Sequence, residues 1–170
     1  MPHISPLPRF ALILCLLLLS TPARGADPEK EAVDLANRLL DKGEYDKIID
    51  ICTAMLKNKP KNPAGFLFLR GIAWIEKREQ SIGIADLTEV IKLAPGFGLA
   101  YVERARAYAQ LKKLDPAMDD LNQAIRLDPK NAHAWYVRGM VWQQKGDKIK
   151  AQADLKKAYE LDPSLSKKAP

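Results

Sequence analysis

The sequence predicts an all-α fold, an array of four helix-turn-helix units, and three observations carry the prediction. From residue 29 to residue 165 the chain repeats itself with a 34-residue step, most plainly at Pro95, Pro129 and Pro163. Apolar residues inside each unit recur at helical spacing, as at Trp135, Gly139 and Trp142 and again at Ala151, Leu155 and Ala158. Proline, glycine and Asn/Asp residues stand where helices would start and stop. The composition, 47% hydrophobic and 28% charged over 170 residues, is that of a folded chain and not of a disordered or collagen-like one.

The first element is not part of the array. Phe10 to Leu19 reads FALILCLLLL, preceded by Arg9 and followed by Ser20, Thr21, Pro22 and Ala23. Ten apolar residues are too few for a membrane span, which needs ~20, but suit a secretory h-region of ~7–15. Residues 1–25 are therefore expected to be a signal peptide, cut after Ala23 or after Gly25. The alternative is an uncleaved membrane anchor. Cys15 lies inside the apolar run behind the large Leu14, which places it badly for lipid attachment at a cleavage point. Removing residues 1–25 takes away Arg9 and Arg24 and lowers the net charge from +6 to +4.

Residues 26–163 are expected to hold the four units, 29–62, 64–97, 98–131 and 132–165, with 164–170 as a short tail. Columns that keep the step are Arg70, Arg104 and Arg138; Gly71, Ala105 and Gly139; Trp74, Tyr108 and Trp142; Asp86, Asp120 and Asp154; and Leu87, Leu121 and Leu155. The first unit is the most divergent, with Ala36, Leu39 and Pro60 in three of these columns, and Pro63 is one extra residue before the second. Asp27-Pro28 and Asn62-Pro63 are N-cap and first-turn proline pairs, Asn131 is a further cap, and Lys42-Gly43 and Lys145-Gly146 supply tight turns inside a unit. The small-residue column marks where two helices approach closely. Cys52 falls level with Leu87, Leu121 and Leu155 and reads as a small buried apolar group; Trp74, Trp135 and Trp142 are core by phase.

Three units carry an arginine and, sixteen residues later, an aspartate: Arg70 with Asp86, Arg104 with Asp120, Arg138 with Asp154. The first unit has Leu35 and Ile51 there, so both partners change together. The two columns are expected to touch across the hairpin, as ion pairs in three units and as an apolar contact in the first.

Taken together, the pattern Trp135, Gly139, Trp142, Ala151, Leu155, Ala158, Pro163 resembles the tetratricopeptide repeat, although Arg138 stands where that family's pattern has Leu. The resemblance covers essentially the whole chain after the signal. It implies a right-handed superhelix with a concave groove lined by the first helix of each unit. The implied contact residues are Asn37, Phe68, Leu69, Ile72, Val102, Glu103, Arg106, His133, Tyr136, Val137 and Met140, with Lys30, Val33, Asp34 and Leu99 in the same columns. Phe68, Leu69 and Ile72 can equally be read as packing against neighbouring units, since apolar stripes are more often core than site. Family members that grip chaperone C-termini use a clamp of Lys, Asn and Arg. Here Val33, Leu69, Leu99 and Glu103 occupy most of its places, although Asn37 matches, so a dicarboxylate-clamp chaperone tail is not the expected partner.

Chemistry is sparsely provided. After residue 25 the chain has one histidine, His133, and one cysteine, Cys52, too few for a zinc cage or a disulfide framework. Most of the acids are accounted for as caps, turns or arginine partners, and Gly96-Phe97-Gly98 is too short for a phosphate loop. Lysines fall at helix ends and turns, with no clustered basic face for nucleic acid. No cofactor is expected. The sequence thus points to an exported, periplasmic or secreted, non-catalytic scaffold or adaptor that holds an apolar or amphipathic protein or peptide segment in its groove. A second reading is a structural component of an envelope or secretion assembly. That component would dock through its C-terminal edge near Leu155 and Tyr159, an edge that is also a candidate homodimer surface.

Overall fold

The computed structural model describes residues 27–168, so the expected signal segment lies outside the described residues. Eight α-helices follow one another: α1 (Pro28–Asp41), α2 (Tyr45–Lys57), α3 (Pro63–Glu76), α4 (Gln80–Leu93), α5 (Gly98–Gln110), α6 (Leu114–Leu127), α7 (Ala132–Lys145) and α8 (Lys148–Leu161). A 3-10 turn, Pro163–Lys168, follows α8, and no strand occurs among the described residues.

Side-chain caps fix the starts of α1, α3, α7 and α8. Asp27 accepts from Glu29 N at 3.0 Å ahead of Pro28, and Asn62 accepts from Gly65 N at 3.3 Å ahead of Pro63. Asn131 accepts from Ala134 N at 3.1 Å and Asp147 from Lys150 N at 3.0 Å. Each satisfies a backbone donor that the first helical turn leaves open. The bonds from Lys150 also hold the Asp147 carboxyl below its ordinary range.

Turns inside the units share a left-handed residue. Gly43 and Gly146 adopt φ 69° and 83°, as their identity suggests, but the same turn in the middle units is made by Arg78 at φ 65° and Lys112 at φ 59°. A side chain costs roughly 1 kcal/mol in this region, where glycine is at ease. Arg78→Gly and Lys112→Gly are therefore expected to stabilise the chain by ~0.5–1 kcal/mol each, read as a raised urea midpoint at unchanged slope.

Consecutive helices pack as hairpins, α1 on α2 through α7 on α8, and each second helix packs on the first helix of the next unit. Successive first helices also touch, α1 with α3, α3 with α5 and α5 with α7, whereas no successive second helices make a comparable contact. The layer of first helices is therefore the tighter one, and the array bends with it on the concave side. Close approach within a hairpin needs small residues. A Cβ added at Gly83 would lie 2.6 Å from Gly71 O and from Ile75 Cγ1, so α3 and α4 meet nearly backbone to backbone there.

The core consists of joints between units more than centres of units. One cluster joins the first unit to α3 through Ala36, Leu39, Ile48, Cys52, Phe66 and Leu69. A second holds Ile75, Leu87, Val90, Ala100 and Ala107, and a third runs from Val102 and Leu121 to Val137 and Val141. A unit of this kind cannot bury its apolar face alone and depends on its neighbour. Cys52 is 0% exposed, and burial pushes its thiol up to about 12, so it acts as an inert packing group.

The tryptophans correct one expectation. Trp74, Trp135 and Trp142 pack against the core clusters but are only half-buried, and a cation stands over each ring. Lys77 Nζ is 5.8 Å from the Trp74 ring centroid, Arg138 Cζ 4.7 Å from that of Trp135, and Lys150 Nζ 4.4 Å from that of Trp142. The Trp135 indole N–H also donates to Pro129 O at 2.9 Å.

Candidate functional site

The arginine column joins more than its aspartates. Arg104 donates from Nε and Nη2 to Asp120 Oδ2 and Oδ1 at 2.8 and 2.7 Å, a bidentate fork across α5 and α6. Its third nitrogen, Nη1, reaches back to Thr88 Oγ1 on α4 at 3.0 Å. Arg70 does the same with Asp86, both bonds 2.8 Å, and with Thr53 at 3.2 Å. Arg138 holds Asp154 at 2.7 and 2.8 Å and Asn122 Oδ1 at 2.9 Å. Asp86, Asp120 and Asp154 are 8%, 6% and 6% exposed, and the fork satisfies each where water is largely shut out. The hydrogen bonds to Asp86 and Asp120 raise the affinity of Arg70 and Arg104 for their protons. Each arginine is thus a staple, holding its own hairpin and the preceding unit at once. Thr53, Thr88 and Asn122 occupy one column, and that column is the signal by which sequence reasoning could have found them.

The next residue in that column is Lys156 on α8, where no following unit supplies an arginine within the described residues. With Gln152, Leu155, Tyr159 and Glu160 it lines a shallow depression of about 460 Å³ at the C-terminal edge. In the other units the column of Gln152 is held by Ile49, Ile84 and Met118, and that of Tyr159 by Leu56, Ile91 and Ile125. The last second helix therefore presents a more polar outer face than the others, as the end of a stacked array requires. The tail contributes as well. Pro163–Lys168 forms a 3-10 turn on α8 and buries Leu165 to 8% exposure.

On the concave side the expected contact residues divide into two groups. Leu69, Val102 and Val137 are 5%, 0% and 7% exposed and do not form a groove surface. Leu69 belongs to the joint with Ala36 and Leu39 of α1, and Val102 and Val137 belong to the joint between α5 and α7. The close contact of successive first helices consumes them. Asn37 is exposed on α1, while Phe68, Ile72, His133, Tyr136 and Met140 are half-buried on α3 and α7. The Phe68 ring stands edge-on to Phe97 at 4.8 Å, and Tyr136 lies between His133 at 6.5 Å and Tyr159 at 6.4 Å. Tyr136 thereby links the inner face to the C-terminal edge.

Glu103 and Arg106 are brought together, with a third residue absent from the expected set. Arg106 donates from Nε to Glu103 Oε2 at 2.8 Å, and its Nη1 pairs with Glu76 Oε1 of α3 at 2.8 Å. The side chains of Glu76, Arg106 and Glu103 are 33%, 29% and 15% exposed, so the cluster spans two units at the floor of the inner face. No group of metal-ligating side chains occurs among the described residues.

A family model described as TPR repeat matches residues 105–146, and one described as tetratricopeptide repeat matches residues 132–165. The second half of the array is thus similar to tetratricopeptide repeats. No curated protein matches the sequence. Solved structures place the whole array in the same fold. MamA from Desulfovibrio magneticus RS-1 superposes with a TM-score of 0.70 at 21% identity, over 92% of this chain and 93% of that one. YrrB, a TPR protein with an unusual peptide-binding site, gives 0.66 at 21% identity, over 79% and 71%. The first TPR domain of Spaghetti (RPAP3), bound to the HSP90 peptide SRMEEVD, gives 0.59 at 25% identity, over 61% and 82%.

Proposed function

We propose that this protein is an exported, non-catalytic scaffold whose concave face holds an apolar or amphipathic segment of a partner protein. The observation that carries the reading is that Phe68, Ile72, Tyr136 and Met140 remain only half-buried on the first helices after the joints between units have been filled. Side chains of this kind gain ~25 cal/mol for each Å² that a partner covers. The HSP90 peptide bound by RPAP3 and the peptide-binding site of YrrB support use of the fold in this way. Export rests on the sequence of residues 1–25 alone.

The half-buried Leu155 and Tyr159 favour a second reading, docking of an assembly partner on the C-terminal edge. Substitutions separate the two. Leu69 is unsuitable because a charge in that joint would test folding, and Tyr136 because it touches Tyr159. Ile72→Glu and Met140→Glu, each on one half-buried inner position, are expected to abolish recovery of the partner from the exported fraction, with the circular dichroism spectrum unchanged. Tyr159→Glu is expected to leave recovery intact. Loss with Tyr159→Glu alone would overturn the groove reading in favour of the edge.

A further inference from the structure

We infer that the segment held by the concave face is cationic as well as apolar, carrying Lys or Arg among its apolar side chains. This rests on the groove reading and adds the sign of the partner's charge. The chain as a whole has a net charge of +6, yet its inner face has the opposite balance. In the inward columns of the first helices four carboxylates, Asp34, Asp41, Glu76 and Glu103, stand against two cations, Lys30 and Arg106, with Lys112 reaching Gln144 Oε1 at 3.4 Å from the turn after α5. Asp41 holds in the first unit the place that Glu76 holds in the second, and the later units have uncharged Gln110 and Gln144 there, so no cation occurs in that column.

Arg106 does not neutralise the pair it touches. One guanidinium meets two carboxylates, and its bonds use Glu76 Oε1 and Glu103 Oε2, one oxygen of each. The cluster keeps a net negative charge, and Arg106 shares its column with Ile72 and Met140 of the flanking first helices. A concave wall of low dielectric focuses such a field and raises the local concentration of cations. The HSP90 peptide SRMEEVD, bound by the RPAP3 domain, has two glutamates and an aspartate and is the wrong sign for this surface.

The test uses the full chain and fluorescein-labelled dodecapeptides that share one leucine frame and differ only in having Lys, Gln or Glu at the intervening positions. Fluorescence polarisation is expected to give the Lys peptide about tenfold tighter binding than the Glu peptide, with SRMEEVD as weak as the latter. Added salt is expected to narrow the gap. In Glu76→Gln combined with Asp34→Asn, both surface changes, the Lys peptide is expected to fall to the level of the Gln peptide, whose own affinity stays as it was. Equal binding of all three peptides would overturn the charge assignment and leave the groove reading standing. Binding of none would overturn the groove reading and this inference together. A Lys preference unaltered in the double variant would place the acidic contact elsewhere and overturn the assignment to this face.

Discussion

Arg104→Leu is expected to lower stability by ~3–5 kcal/mol, whereas the double substitution Arg104→Leu with Asp120→Ile is expected to cost far less than the sum of its parts. Removing the arginine leaves Asp120, 6% exposed, with its bidentate partner gone, and frees Thr88 Oγ1 from the same guanidinium. An uncompensated carboxylate at that depth carries the full desolvation penalty. The converse change, Asp120→Ile, is expected to be milder. The Arg104 side chain is 15% exposed, keeps Thr88 and the rings of Tyr101 and Tyr108 beside its Cζ at 5.9 Å each, and can extend its head toward water. The double variant recreates the Leu35 and Ile51 of the first unit, an arrangement this fold already contains. Urea unfolding of the four chains in the cycle checks this. Strictly additive losses would mean that the fork contributes nothing beyond two independent side chains.

The ion pairs were legible because both partners change at once in the first unit, and co-variation between repeats of one chain substitutes for an alignment. The third contact was not. Thr53 stands 35 residues before Thr88, and Asn122 stands 34 after it and differs in type, so the extra residue at Pro63 and the change from hydroxyl to amide obscured a shared acceptor role. Glycine marked two of the four turns; Arg78 and Lys112 adopt the same left-handed conformation without any signal in their identity.

Burial divides the expected inner-face residues in a way the sequence does not reveal residue by residue, for a geometric reason. A first helix is surrounded by its own second helix, the preceding second helix and the flanking first helices, which leaves a narrow free stripe. Adjacent positions differ by ~100° around the helix, so half-buried Phe68 and buried Leu69 look alike in sequence and fall on opposite sides of the boundary. The polar members of the same columns, Asp34 and Glu103, are more informative, because a carboxylate is not readily placed in a joint.

The joints also determine how the array should fail. Phe66 is the largest side chain with 0% exposure, in the cluster that joins the first unit to α3, and its column holds Ala100 and Ala134 in the later units. It fills space that the divergent first unit leaves, packing with Ala36, Leu39, Ile48 and Cys52. Phe66→Ala is expected to cost ~3–5 kcal/mol, the transfer of a buried ring plus the cavity left behind. In an array whose stability is a sum of unit and nearest-neighbour terms, that loss falls on one joint. Amide exchange is therefore expected to accelerate throughout α1 and α2 while α5 to α8 keep their protection, and Cys52 becomes open to thiol reagents at neutral pH in a chain also carrying Cys15→Ala. Uniform acceleration across all eight helices would mean instead that the array unfolds as a single cooperative body, and that its joints are too strong for the first unit to detach alone.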